Sequence, residues 1–222
     1  MGKKNISQEK IIQAFLACSF QKSAGATSLS DISEALDIKK ASLYNHFESR
    51  DSMYESTISF CAQELQKVSF ITDKTIESIK KTNPQIQSLF KKLIIRYFNM
   101  FETEPLFQVY AFVHTEQYFN KKVLDIVREE NESLINEIKL ILQSYSEIHT
   151  EKIIFDKNIK EIALSIGSVI LQQRDFYIIC RKDTIRNNPE CGVGSLFALP
   201  SDDKLINHTA KLIEVLLSFI KK

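Results

Sequence analysis

Backbone breakers are scarce in this chain: 222 residues hold five glycines and four prolines. These two residue types punctuate loops and interrupt helices. A chain so poor in them is expected to be all-α rather than a loop-rich β architecture. Its length suffices for one large domain or two small ones. Hydrophobic residues at 44% and charged residues at 26% are the mix of an ordinary globular protein. No apolar run approaches the roughly 20 residues of a membrane span. The start, Met1-Gly2-Lys3-Lys4-Asn5, leads into an amphipathic stretch and not into a signal-peptide core. Cys18, Cys61, Cys180 and Cys191 form no C-x-x-C pair. A reduced, cytoplasmic protein without structural disulfides is therefore expected.

Apolar periodicity lays out the helices. Ser7 suits an N-cap before the stripe Ile11, Ile12, Phe15, Leu16 and Phe20. Gly25 suits a left-handed residue after that helix. Ser28, with Asp31 three residues on, resembles a capping box opening a short helix through Ile32, Ala35 and Leu36. Asp37-Ile38 makes a turn, and a second short helix is expected from about Lys39 to His46. Ser49 then caps a longer helix that carries Met53, Ile58, Cys61, Leu65 and Val68 on its apolar side. Short helices joined by turns of three to four residues are the plan of a helix-turn-helix. Beyond residue 70 longer helices follow at about 85–102, from Pro105 through Val113, and at 120–145, 157–182 and 203–221. The expected division is an N-terminal three-helix domain at 1–50 and a larger helical domain at 51–222.

Charge favours the first part as the one that meets an anion. Residues 1–50 carry seven basic side chains (Lys3, Lys4, Lys10, Lys22, Lys39, Lys40, Arg50) against five acids, leaving 22 basic and 23 acidic of the chain's 29 and 28 for the rest. A short helix held by a tight turn can put its N-terminal residues into the major groove. Lys39, Lys40, Ala41 and Ser42 stand at that tip. Lysine can donate to guanine edges, serine can reach either kind of edge, and the alanine methyl can meet a thymine methyl. Thr27 and Ser28 offer hydroxyls at a helix N-terminus, where phosphates bind. Lys3-Lys4 reads as a solubilising tail or an arm to phosphate. Leu29, Ile32, Leu36, Leu43 and Phe47 are the expected core of this head.

Three stretches carry a family likeness: Ile11-Ile12-Gln13-Ala14-Phe15-Leu16, Gly25-Ala26-Thr27-Ser28-Leu29-Ser30-Asp31-Ile32, and Ala41-Ser42-Leu43-Tyr44-Asn45-His46-Phe47-Glu48-Ser49-Arg50. Over residues 7–60 the chain resembles the N-terminal domain of the TetR family of transcriptional regulators. The resemblance implies DNA binding by Thr27, Ser28, Lys39, Lys40, Ala41, Ser42, Tyr44, His46 and Arg50. Lys40 and Ser42 would read bases; Thr27, Tyr44, His46 and Arg50 would hold phosphates. Asp37 replaces the usual turn glycine, and Lys39 stands where the family often has a Ser or Thr cap. Losing that cap is worth about 1 kcal/mol of local helix stability, so DNA is expected to complete the order of this helix.

The resemblance also implies a dimerisation and ligand-binding domain. The last two helices carry wide apolar stripes, Ile159, Ile162, Ile166 and Val169 in one and Ile206, Ala210, Ile213, Leu217 and Ile220 in the other, with Gly167 and Ser168 allowing close approach. A homodimer through these helices would read a palindromic operator in double-stranded DNA. Aromatics gather at 97–119, and Phe98, Phe101, Tyr110, His114, Tyr118 and Phe176 are the candidate lining of a site for a small, largely apolar effector. The expected function is a repressor that such an effector releases from its operator. No cofactor or metal is called for.

Rival readings rest on other residues. Cys180 and Cys191 flank Arg181, Lys182 and Arg186, which can lower a thiol pKa and make a redox switch in the same fold. A non-regulatory DNA-organising protein is a further alternative. An enzyme is not expected: the chain has no Gly-rich phosphate loop, no G-x-S-x-G and no metal-spaced His/Cys/Glu cluster, and His46, His114, His149 and His208 are scattered.

Overall fold

A computed structural model describes residues 6–148, 158–188 and 201–219. Lys3, Lys4, His149, Cys191 and Ile220, to which the sequence assigned roles or places, lie outside these ranges. The described residues form ten helices and no strand: α1 (Gln8–Lys22), α2 (Leu29–Ala35), α3 (Lys40–Leu43), α4 (Arg50–Leu65), α5 (Thr75–Thr82), α6 (Ile86–Met100), α7 (Leu106–Glu116), α8 (Lys121–Ile148), α9 (Ile159–Asn187) and α10 (Asp203–Ser218).

The caps follow side-chain chemistry. Ser7 accepts from the Lys10 N–H at the head of α1. Ser28 and Asp31 form a complete capping box on α2, and Ser49 and Ser52 form one on α4. The end of α2 is a Schellman arrangement, with Ile38 N–H donating to Ser33 O at 2.9 Å and Asp37 N–H to Glu34 O at 3.0 Å. Asp37 sits at the left-handed position, φ 53°, as its tolerance of that region predicts.

Three local expectations are corrected. The left-handed residue after α1 is Ser23, φ 81°, and not Gly25. Ser23 N–H donates to Ser19 O at 2.8 Å, which closes α1 two residues earlier than the glycine. The short helix expected at about Lys39–His46 is a single turn, Lys40–Leu43. Lys39 gives it no side-chain cap, and Asn45 and His46 turn back on Ser42 O and Leu43 O with tighter i→i−3 bonds. α5 was not anticipated. Its signal is Asn83-Pro84, since Asn83 closes α5 in the left-handed region, φ 42°, and a proline then forbids continuation.

The chain packs as two units, Met1–Lys67 with Glu104–Arg128, and Val68–Thr103 with Glu129–Lys222. This differs from the boundary expected at residue 50. Phe15 packs edge-on against Tyr54 and Phe112, and Phe20 packs against Phe107, so α4 and α7 close the core of the first unit. Ile11, Phe15, Leu16, Ile32, Leu43, Phe47, Met53, Ile58 and Val113 are buried there. Leu29 and Leu36, expected in the core, are half-buried. Tyr54 donates to Glu116 at 2.8 Å. Burial and that carboxylate push the Tyr54 phenol up to about 12.

The second unit is built around α6, the later part of α8, α9 and α10. Phe70, Phe90, Ile94, Tyr97, Phe98, Phe101, Ile138, Leu142, Ile166, Ile170, Tyr177, Ile213 and Leu217 fill it. One cation lies among these rings. Arg174 is 0% exposed and donates to the Glu130 carboxylate and to the Tyr97 hydroxyl. Its guanidinium lies 5.4 Å from the Tyr97 ring centre and 5.0 Å from that of Phe101. Residues 69 and 70 are held by Glu137, which accepts from the Ser69 hydroxyl and, at 2.7 Å, from the Phe70 N–H. Arg96 donates to Ser69 O at 2.6 Å. Gly167 lets α9 approach α8: a Cβ there would stand 2.8 Å from Ile135 Cγ1.

Candidate nucleic-acid interface

The first unit presents one polar row on its surface. Lys39, Lys40 and Ala41 are exposed, Ser42 is half-buried and Tyr44 is 53% exposed. Leu43 and Phe47 are buried beneath them and anchor the turn. Lys39 and Lys40 have no carboxylate within ion-pair distance among the described contacts, whereas Lys22 pairs with Asp31 at 2.6 Å. The side chains that can reach a groove are thus on one short helix whose apolar side is fixed. Asn45, which sequence reasoning passed over, is exposed beside Tyr44. Its amide has the donor and acceptor that adenine recognition uses.

Ser28 lies at the exposed start of α2, and its N–H and hydroxyl both donate to Asp31, at 2.7 and 2.8 Å. The Lys22 ammonium, followed by these Ser28 bonds, holds the Asp31 carboxyl down at about 2. The α1–α2 junction therefore carries a fixed negative charge facing a fixed positive one. His46 is half-buried, and its carbonyl accepts from Gln8 Nε2 at 2.8 Å, which ties the turn after α3 to the start of α1.

Two expected phosphate contacts are turned inward. Thr27 is 1% exposed. Its hydroxyl donates to Ser23 O at 2.8 Å and lies 3.4 Å from the Ser19 hydroxyl, so it serves the turn. Arg50 Nε donates to Thr27 O at 3.0 Å, and its Nη2 donates to Ala24 O. The guanidinium also lies 5.7 Å from the Phe15 ring centre. These contacts join residues 23 and 26 positions apart in the chain, and no local pattern announces them.

The candidate effector residues fall on both units. In the first, Tyr110 is buried and stacked on His114 at 3.9 Å, while Tyr118 is 80% exposed. In the second, Phe98 and Phe101 are fully buried in ring–ring contacts, and Phe176 is half exposed. None of the six lines the cleft of about 420 Å3 that the second unit does hold. That cleft is lined by Tyr177, Cys180, Arg181, Thr184, Ser201, Asp202, Asp203 and Lys204. At its edge Glu102 accepts from the Tyr177 hydroxyl and, at 2.7 Å, from Ser201.

The electrostatics at Cys180 run against a redox role. Burial, then the Asp202 and Asp183 carboxylates, raise its thiol pKa, whereas an activated thiol needs it lowered. Arg181, expected to activate it, instead lies 3.9 Å from Glu102. Among the described residues no group of His, Cys, Asp or Glu could hold a metal ion, and no helix is long and apolar enough to cross a membrane.

Residues 11–57 match the family described as bacterial regulatory proteins, tetR family. Over 132 residues the chain is 29% identical to the biofilm operon icaADBC HTH-type negative transcriptional regulator IcaR of Staphylococcus aureus (strain Newman), a match covering 59% of this chain and 67% of that one. The regulator of the same description from Staphylococcus epidermidis is 35% identical over 54 residues, 24% of this chain and 29% of that one. Among solved structures, a putative TetR-family transcriptional regulator from Mesorhizobium loti superposes with a TM-score of 0.59 over 97% of this chain and 96% of that one, at 14% identity. The reduced form of E. coli NemR gives 0.56 over 97% of each chain, at 13% identity. At such identities the likeness is one of fold.

Proposed function

We propose that this chain is a transcriptional regulator of the TetR family and not an enzyme, acting as a homodimeric repressor that a small effector releases from a palindromic operator. The observation that carries the DNA-binding part is the row of exposed Lys39, Lys40, Ala41 and Tyr44 with half-buried Ser42, on a turn whose apolar side is locked by Leu43 and Phe47. Lys40 and Ser42 read base edges. Tyr44, His46 and the exposed start of α2 at Ser28 hold phosphates. The matched relatives are negative regulators, which supports repression over activation.

Exposed apolar side chains on the last two helices support the dimer. Leu164, Phe176 and Ile179 on α9, Val215 on α10 and Phe219 just beyond it are 43 to 81% exposed. Such side chains on adjacent amphipathic helices are what an isologous interface covers. For the effector, the cleft at Tyr177 and Arg181 has a volume within the range of small-molecule sites. Release follows from linkage: an effector that prefers the form with misplaced heads weakens DNA binding by the factor by which DNA weakens effector binding.

Selection of bound sequences from random duplexes tests the reading. A consensus of two inverted half-sites about one helical turn apart is expected. A single asymmetric consensus would refute the symmetric dimer, and no enrichment at all would refute sequence-specific binding.

A further inference from the structure

We propose that Arg50 is a positioning residue of the reading head: its guanidinium clamps the α1–α2 turn onto the first turn of α4, and so sets where α2 begins relative to the recognition turn. This rests on the DNA-binding reading above and concerns what one of its expected phosphate contacts does instead.

The turn runs from Ala24 to Thr27 and is closed by the Thr27 N–H donating to Ala24 O at 3.2 Å. Arg50 grips the carbonyls of both its first and its last residue, Nη2 on Ala24 O and Nε on Thr27 O. Two donors at the fixed spacing of one planar group hold both ends at once. A lysine ammonium has neither the plane nor the reach for two such bonds. Inside the turn Thr27 adds its hydroxyl bond to Ser23 O. Ser23, at φ 81°, leaves the chain in a conformation that L residues seldom adopt, so the path from α1 to α2 depends on such ties.

The place of Arg50 in its own helix points the same way. It is the first residue of α4, directly after the Ser49 cap. A cation there opposes the helix dipole, which favours acids in the first turn. The two carbonyls of the α1–α2 turn supply the negative partners that the helix end denies it, and the Phe15 face supplies a third. Because Ser28 caps α2 immediately after the clamped turn, the clamp fixes the start of α2. Because α4 follows α3 through the residues Tyr44 to Ser49, the same clamp fixes the exit of the recognition turn.

The test measures binding of the full-length protein to a labelled duplex carrying its selected consensus, and to a scrambled duplex of equal length, across a salt series. Wild type, Arg50→Ala and Arg50→Lys are compared, and thermal unfolding of each is recorded alongside. Both variants are expected to lose specific affinity by about tenfold, the equivalent of about 1.4 kcal/mol. Scrambled-duplex binding and the slope of log affinity against log salt stay at the wild-type values. Should Arg50→Ala fail to fold, Arg50→Lys carries the comparison, since it keeps the charge and removes only the two-point grip. Near-wild-type affinity in Arg50→Lys, with a salt slope reduced by about 0.9 in Arg50→Ala, would make Arg50 a phosphate contact and overturn the proposal. A lowered melting temperature with unchanged specific affinity in both variants would reduce Arg50 to ordinary packing, and overturns it equally. Failure of the wild type to prefer its consensus would strike the DNA-binding reading itself, not the clamp.

Discussion

Glu130→Gln should destabilise the second unit far more persistently than Arg174→Met, although both break one ion pair. Arg174 is 0% exposed and the Glu130 side chain is 6% exposed, so neither charge has water to fall back on. Removing the carboxylate leaves a guanidinium that cannot deprotonate, buried against Tyr97 and Phe101. Breaking a buried pair in this way costs about 3–5 kcal/mol. Arg174→Met roughly conserves length, forfeits about 0.5–2 kcal/mol of cation–ring attraction, and leaves a carboxylate that can take up a proton. For a group with an ordinary pKa near 4.3, protonation at pH 7 costs about 3.7 kcal/mol, and that cost falls by about 1.4 kcal/mol for each pH unit below. The sign is therefore definite: the deficit of Arg174→Met against wild type shrinks from pH 7 to pH 5, while that of Glu130→Gln does not. The double variant Arg174→Met/Glu130→Leu should return to within about 1 kcal/mol of wild type, because no lone charge remains. Urea unfolding followed by circular dichroism, at one protein concentration and with matched m-values, reads all of this. A loss below about 1 kcal/mol for Glu130→Gln, or identical pH profiles for the two single variants, would refute the argument that this pair is held out of water.

The remaining predictions concern the first unit and the dimer. Lys40→Ala should relax base preference at one position of each half-site with a loss of about 1–3 kcal/mol in discrimination, whereas Tyr44→Ala should weaken all duplexes alike; selection with each variant reads the difference. The Asp31 carboxyl is held at about 2 by Lys22 and Ser28, below its unfolded value near 3.9. It therefore stabilises above pH 4 and stops doing so as pH falls toward 2, so acid titration should cost wild type more stability than it costs Asp31→Asn. Phe176→Glu and Ile179→Glu, on half-exposed or more exposed positions of α9, should shift sedimentation from dimer to monomer without lowering helix content; an unchanged dimer would move the interface elsewhere.

Much of the helix plan was legible because its signals are local. Ser7, Ser28 and Ser49 announce their caps within three residues, and Asp37 announces a left-handed turn by its own side chain. What was not legible depended on partners distant in the chain. Thr27 and Arg50 look like phosphate contacts until the α1–α2 turn folds back on α4 and uses both of them. Tyr118 looks like a pocket residue from composition alone, yet it is 80% exposed just beyond α7. The recognition helix was overextended because apolar spacing continues through Phe47 while hydrogen bonding tightens after Leu43. Arg174 passed unnoticed because a lone arginine in an apolar stripe reads as solvated until Glu130, 44 residues earlier, is brought to it.

On the proposed reading, a recognition helix of four residues sets a limit on what its owner can know about a sequence. At 1.5 Å per residue, α3 is about 6 Å long. Successive base pairs rise about 3.4 Å, so one such helix spans about two steps of the duplex. Even doubled by a second copy, so short a word recurs by chance in a genome offering on the order of 10^6 competing sites. On the proposed reading the address is written mainly in the distance between half-sites and in how readily the intervening duplex bends or narrows. Operators of the proposed dimer should then be able to drift in letters while keeping their metre, and a search for them should weigh spacing and groove shape alongside base identity.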